Sequence, residues 1–561
     1  MFIIASLQMI TKFSGFFILL IAILIIAVNI KQIKFHKIIL IFKSLSQFEK
    51  MLLILALINL ATSFIICFSP IIGTDTLTSR INNPKRYIQH GGFYDMPHKL
   101  NSNLPMGTEM LYMFSLIIFP VISVKIVAFI ISLILSFSIY QFSKDIAFRE
   151  VGILASILII STPIFYSHSF TPLQDMLLAL FSLLSLWCLI KYYKDCLLQN
   201  SILFGIFSGT TIAIKYNGII LVFILYILLF TKLIKIKKLK NIFTPIIFTA
   251  IFYFPWLIKA YKYTGNPLYP YLNKFFLLNH PYNSINSSLI GKADFSIINK
   301  IIFYFTHFFN MTIIPFRINQ YYSPINSFTN PLIILLLLIA IYYKFWKSVN
   351  FKIFTITIFF TYTIHFFLLM NRYGPRPRWI FIVFCLLSII GSWGFYKIKN
   401  RIIYRFFQII ILSWILFFTI YTTSQKMKFY PVVFGLQTDQ EFHRDISSGF
   451  KWIEDFEYLN KIDKDNKKVL LFTPKAYYLD SDYVLARIVK YEIKLNDNAN
   501  IHDLMKYLIQ NNVKFIWFDN DDTDLQFYDS ELLPLTKRMI NSYNLKEVFY
   551  NEVTNSYIYS L

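Results

Sequence analysis

The chain alternates long apolar runs with short polar connections. Runs near twenty residues with few charges are long enough to cross the hydrocarbon core of a bilayer as helices. Twelve can be read, over residues 3–29, 50–72, 123–142, 150–166, 173–191, 201–214, 218–231, 241–258, 331–346, 351–370, 378–396 and 403–422. Every second connection is basic. Lys31, Lys34 and Lys37 follow the first run, Lys144 and Arg149 the third, Lys232, Lys235, Lys237, Lys238 and Lys240 the seventh, and Lys397, Lys399, Arg401 and Arg405 the eleventh. Short connections rich in Lys and Arg mark the cytoplasmic side of a membrane protein. Alternation therefore predicts an N-terminus outside, two large external regions at 73–122 and 259–328, and an external tail. Residues 106–122 are apolar enough to be a further span, but counting them would turn the 232–240 lysines outward. They are expected as a helix lying in or dipping into the outer interface.

The pattern changes after residue 424. KKVLLFTP (467–474) reads as a buried strand, and IHDLMKYLIQNN (501–512) has helical spacing and leads into the strand VKFIWFD (513–519). Two more strand-like runs follow at 545–550 and 555–560. The expected architecture is a polytopic α-helical membrane domain over 1–424 and a small extracytoplasmic α/β domain over 425–561.

Composition agrees. Of 561 residues 56% are hydrophobic and 15% charged, against about 25% charged in soluble chains. The formal net charge of +24 would suit nucleic acid, but the lysines sit in short clusters between apolar runs, which is the membrane pattern and argues against a nucleic-acid partner. Cys67, Cys188, Cys196 and Cys385 show no metal-ligand or pairing spacing. The first run has its lysines after it and no small-residue cleavage site, so it reads as a retained span rather than a signal peptide.

Of thirty Asp and Glu residues, twenty-one follow position 424. Only nine remain for the membrane domain, and the topology puts Asp75, Asp95, Glu109, Asp175 and Asp294 outside. An ionisable group at membrane depth costs roughly 2.5–3.5 kcal/mol and tends to be functional. Asp75 (in SPIIGTDTLTSR) and Asp175 (in TPLQDML) are expected at one height near the outer boundary, each with helix capping as the plainer role. Among the outward cations, Lys215 lies in AIKYNG between two apolar runs with almost no loop. Arg372 and Arg376 lie in the tight NRYGPRPRW turn. Cations held beside apolar walls at a membrane surface suit a phosphate, and snorkelling to lipid headgroups is the alternative. No Walker or Gly-rich nucleotide motif occurs, and no His/Cys metal cluster. DNDDTD (519–524) lacks the Gly and closing Glu of a calcium loop.

Several segments, in order, resemble the GT-C membrane glycosyltransferases, in particular the bacterial RgtA/B/C/D-like branch, more distantly related to protein mannosyltransferases and aminoarabinose transferases. They are 45–93, with Asp75 and the run Pro84-Lys85-Arg86-Tyr87, then NLPMGTEMLY (103–112), TPLQDMLLALF (171–181), GIFSGTTIAIKYNG (205–218), WLIKAYKYTGNPLYPYL (256–272), RYGPRPRW (372–379) and VLLFTPKAYYLDSDYV (469–484). Ser79-Arg80 stand where the family usually has a Tyr-His pair. The resemblance implies a hexosyl or pentosyl transferase of the bacterial inner membrane, serving the cell envelope or lipopolysaccharide. It would take its sugar from a polyprenyl phosphate and pass it to a glycan or lipid acceptor outside, with inversion. Asp75 would be the general base. Lys215, Arg372 and Arg376 would bind the lipid phosphate, and Asp175 and Glu109 would position the acceptor or a divalent cation, with no metal otherwise expected. Tyr216, Asn266, Tyr269 and Pro270 would wall the cavity. An O-antigen-type polymerase or ligase, and a non-enzymatic transporter of lipid-linked sugar, remain as alternatives.

Overall fold

A computed structural model describes the chain except for residues 31–41, 97–98, 273–274, 277–298, 300, 308–329, 369–376, 447–449, 464–466, 494–499 and 521–531. Each of the twelve apolar runs coincides with helix. Eight helices are long and apolar enough to cross a membrane by length and composition: Gln47–Ile66, Ser123–Ile146, Asp175–Asp195, Gly218–Lys235, Leu239–Thr264, Val349–Leu368, Pro377–Phe395 and Arg401–Val433. Helices suit such runs because they satisfy every backbone polar group internally, where no water can. Two runs are broken into separate α-helices. The first splits into Phe2–Ser6 and Lys12–Ile30 around Gln8, whose φ is +57°. The fourth splits into Arg149–Ile160 and Pro163–His168. There Thr162 caps the second piece by accepting from the Phe165 N–H at 3.3 Å, and Pro163 opens its first turn. Residues 106–122 form a helix over Gly107–Ile118 only. Twelve residues rise about 18 Å, as they do in Arg149–Ile160 and Pro331–Tyr342, less than a bilayer core of about 30 Å.

The chain divides into two compact units. The first holds Met1–Ser69, Pro105–Ile258 and the described part of Gly291–Val433, and contains the candidate spans except residues 259–264 of Leu239–Thr264. Its core is a continuous apolar cluster running from Leu45 to Ile415. Two buried lysines hold the C-terminal end of the Gln47–Ile66 helix. Lys125 Nζ donates to Ile66 O (2.8 Å), Ser69 O (3.0 Å) and Ser69 Oγ (2.7 Å). Lys426 Nζ donates to Asn59 O (3.1 Å), Thr62 Oγ1 (2.6 Å) and Ser63 Oγ (2.9 Å) and lies over the Tyr166 ring. Cations suit this end because the last carbonyls of a helix carry its partial negative charge.

The second unit gathers Pro70–Leu104, the described part of Lys259–Ile290, and Phe434–Leu561. The tail forms a five-stranded sheet of order β2-β1-β3-β5-β4. The strands are β1 (Lys468–Leu471), β2 (Tyr483–Leu485), β3 (Val513–Asp519), β4 (Lys546–Asn551) and β5 (Ser556–Ser560). β1 pairs parallel with β2 and β3, while β5 runs antiparallel to β3 and β4. Helices Ile501–Gln510 and Leu532–Ser542 bury Leu504, Leu508, Leu535 and Met539 against Leu470, Ile516 and Phe518. Near the sheet, buried Asp455 accepts from Trp517 Nε1 (2.7 Å), Asn551 Nδ2 (2.6 Å) and Ser556 Oγ, while Asp519 accepts from Trp452 Nε1 (2.7 Å).

Candidate functional site

The first unit carries a polar cluster at the start of the Asp175–Asp195 helix. Asp175 is only 3% exposed. It is the first residue of that helix, Gln174 is the N-cap, and no side-chain capping bond forms, so Asp175 does not act as a cap. Its Oδ1 instead accepts from Lys215 Nζ at 3.0 Å, and its Oδ2 lies 3.7 Å from His168 Nε2. Lys215 can reach because helix Leu198–Ile214 ends there in an extended residue, and Gly218 opens the next helix, Gly218–Lys235. A Cβ on Gly218 would lie 2.6 Å from Thr211 O, so the tight hairpin that presents Lys215 admits only glycine. The Lys215 ammonium also lies 5.9 Å from the centre of the Trp379 ring.

Asp175, Asn217, Thr361, His365, Arg378 and Trp379 line one cavity, floored by apolar Leu178, Leu221 and Phe381. His365 Nδ1 pairs with Thr361 O at 2.8 Å, the tautomer in which Nδ1 carries the hydrogen, leaving Nε2 an acceptor. That Nε2 and Thr361 Oγ1 are buried with no hydrogen-bond partner among the described residues. Lys215 and Arg378 against Asp175 give the cluster one surplus positive charge when the histidines are neutral.

Glu109, fully buried, accepts from Gln174 Nε2 with both carboxylate oxygens, at 2.6 and 2.8 Å. Tyr112 Oη donates to Leu173 O at 2.8 Å. Helix Gly107–Ile118 is thereby fastened to the segment just before Asp175. Glu109 thus bears on Asp175 through the neighbouring residue.

The second unit carries Asp75. The half-buried Asp75 precedes a π-helical turn, Thr76–Arg80, and its side chain makes no capping bond to it. Helix Asn82–Gln89 follows. Buried around it are Lys99, whose Nζ donates to Asn83 Oδ1 (3.2 Å), and Lys259, whose Nζ donates to Ser102 O and lies over the Tyr87 and Phe93 rings. Burial, reinforced by the like charges of Arg86 and Lys85, holds the Lys99 ammonium well below the usual lysine range. Burial also lowers Lys85, with Asp480 opposing, and raises Asp95. Asn266 braces its own turn, donating to Tyr271 O (2.7 Å) and accepting from the Leu268 N–H (2.8 Å). Tyr269 is buried and Pro270 half-buried.

Of the residues singled out in the sequence, Asp175 and Lys215 are therefore in direct contact, Tyr216 adjoins Lys215 in the chain, and Glu109 reaches them through Gln174. Asp75, Asn266, Tyr269 and Pro270 belong to the second unit. Arg372 and Arg376 lie outside the described residues, as do Asp294 and residues 521–524. The sequence reading missed Gln174, Asn217, Thr361, His365 and Trp379, and gave Arg378 no site role. Arg378 shares the arginine-rich turn and could have been taken with Arg372. The others carried no local signal. Among the described residues no three His, Cys, Asp or Glu side chains gather as a metal set.

Residues 105–258, which include Glu109, Asp175 and Lys215, match the family model described as dolichyl-phosphate-mannose-protein mannosyltransferase. No curated protein sequence matches the chain. Among solved structures, ArnT from Cupriavidus metallidurans bound to undecaprenyl phosphate is similar with TM-score 0.57 at 12% identity, over 91% of this chain and 97% of that one. Its apo state gives 0.58 at 11% identity over the same shares. The Archaeoglobus fulgidus oligosaccharyltransferase tethered with an acceptor peptide gives 0.52 at 12% identity, over 91% of this chain and 74% of that one. In fold, this chain is similar to the GT-C membrane glycosyltransferases.

Proposed function

We propose that the chain is an inverting glycosyltransferase that moves a sugar from a polyprenyl phosphate to a lipid or glycan acceptor on the outer face of a bacterial inner membrane. In this topology the N-terminus and the tail are both extracytoplasmic. The observation that carries the reading is the Asp175–Lys215 pair, inside the stretch that matches the mannosyltransferase model, with Arg378 on the same cavity. A surplus cation beside apolar walls fits a phosphate attached to an apolar chain. Lys215 and Arg378, with Arg372 and Arg376 from the same turn, would stabilise the phosphate charge as the bond from the anomeric carbon to phosphate oxygen breaks.

Asp75 takes the hydroxyl proton of the acceptor as its oxygen bonds to the anomeric carbon from the opposite face. Polyprenyl phosphate leaves with the electron pair. Asp175 and Glu109 position the acceptor side of the site, and Tyr216, Asn266, Tyr269 and Pro270 form its walls. A positioned general base contributes about 10²–10⁴-fold. The test uses the purified chain in lipid nanodiscs, lipid-linked sugars extracted from source envelopes, and release of polyprenyl phosphate as readout. Asp75→Asn is expected to slow release by about 10²–10⁴-fold while binding of added undecaprenyl phosphate persists. Undiminished release would overturn the role of Asp75. Movement of lipid-linked sugar across vesicles without transfer would replace the enzyme reading by a transporter.

A further inference from the structure

The π-helical turn at Asp75 and helix Asn82–Gln89 form one helical rod. Its backbone bonds pass from Leu77 N–Gly73 O (3.0 Å) through Ile81 N–Thr76 O (3.2 Å) to Lys85 N–Ile81 O (3.0 Å). Ten residues separate Asp75 from Lys85, roughly 15 Å at the helical rise. Whatever fixes the far end of the rod fixes the direction of the near end.

The far end is held by the turn between β1 and β2. Lys85 Nζ donates to Tyr477 O (2.7 Å) and Leu479 O (3.0 Å) and pairs with Asp480 Oδ1 (2.7 Å). Arg86, 1% exposed, donates from one guanidinium nitrogen to Asp480 O (2.6 Å) and from the other to Leu479 O (2.9 Å). Its guanidinium lies 5.2 Å from the centre of the Tyr483 ring, and Asn82 Nδ2 donates to Tyr483 Oη at 3.1 Å. Four of these bonds end on main-chain oxygens of a single turn. Charge-assisted bonds of this length are stronger than neutral ones and fix direction as well as distance. An ion pair whose carboxylate is exposed, as Asp480 is, would alone fix little; the buried guanidinium on fixed carbonyls is what makes the joint stiff.

We infer that the C-terminal α/β region acts as a positioning element for Asp75, with Lys85 and Arg86 as the positioning residues that join the 477–483 turn to the Asp75 rod. The inference rests on the reading of Asp75 as the base. It gives the tail a part in the rate of the reaction, distinct from a part in choosing the acceptor.

The full-length Lys85→Met/Arg86→Met variant in nanodiscs tests it by two readouts. Hydrogen exchange over residues 74–89 is expected to speed up tenfold or more. In the polyprenyl phosphate release assay kcat is expected to fall at least tenfold, with KM and undecaprenyl phosphate binding within twofold of the parent. Arg86→Lys, which keeps one donor on the turn, should recover part of the loss. A kcat within twofold of the parent, or a loss carried by KM alone, overturns the inference. Should the double variant not accumulate, inserting one glycine between Asp480 and Ser481 displaces the carbonyls while leaving both cations in place, and is read the same way. Failure of the base assignment would appear separately, as full turnover in Asp75→Asn.

Discussion

At the scale of single residues, the Asp175–Lys215 pair decides most. Asp175 is nearly sealed from solvent and Lys215 largely so. Removing one partner of a buried pair costs about 3–5 kcal/mol, because the remaining charge keeps its desolvation penalty. Lys215→Met leaves Asp175 with Arg378 and His168 nearby, so the loss should fall at the low end, about 3 kcal/mol, in denaturant unfolding of the purified protein. Lys215→Arg should hold most of the stability. Lys99 gives a prediction in pH. Its folded value lies well below 10.5, so between the two values the native state binds fewer protons than the unfolded chain, and stability climbs as pH rises. Above pH 10 the buried Tyr483 hydroxyl, pushed up to about 12, reverses the sign, since the unfolded chain then loses its tyrosine protons first. Melting temperature should therefore rise from pH 8 towards 10 and fall beyond it, and Lys99→Met should flatten the rising limb.

At the scale of elements, the hairpin of helices Leu198–Ile214 and Gly218–Lys235 depends on the absence of one methyl group. Gly218→Ala places a Cβ 2.6 Å from Thr211 O, backbone that cannot yield without opening the hairpin. It should destabilise by about 1–3 kcal/mol and loosen Lys215, visible as lower melting temperature and weaker binding of undecaprenyl phosphate. The elements themselves were largely legible beforehand. Long apolar runs have one stable form in a bilayer, and the tail's strands at 468–471, 513–519, 546–551 and 556–560 follow their β-branched and aromatic runs. Elements whose order comes from partners were not legible. β2 is three residues long and exists by pairing with β1, and the break at Ser161–Thr162 needed the cap seen only in three dimensions. The same division runs through the site. Asp175 and Lys215 stood out as charges in apolar surroundings, but their contact spans forty positions, and Gln174 and His365 are ordinary polar residues until Glu109 and the cavity surround them.

At the scale of the molecule, neither compact unit is a continuous stretch of chain. The second joins Pro70–Leu104 to residues made more than three hundred positions later. A chain cut after Val433 should therefore lose more than its tail: with the 477–483 turn gone, limited proteolysis should open the 70–104 segment while the spans stay intact. The sheet adds an order in time. β5, made last of the five strands, lies between β3 and β4 rather than at an edge, so β4 has no strand to pair with until β5 has left the ribosome. The spans can enter the membrane one by one as they are synthesised, but the sheet whose 477–483 connection holds Lys85 and Arg86 is completed only when β5 joins it. On the reading of Asp75 as the base, a chain inserted in the membrane before β5 joins the sheet should be inactive, and translation arrested within β5 should yield protein threaded through the membrane that releases no polyprenyl phosphate.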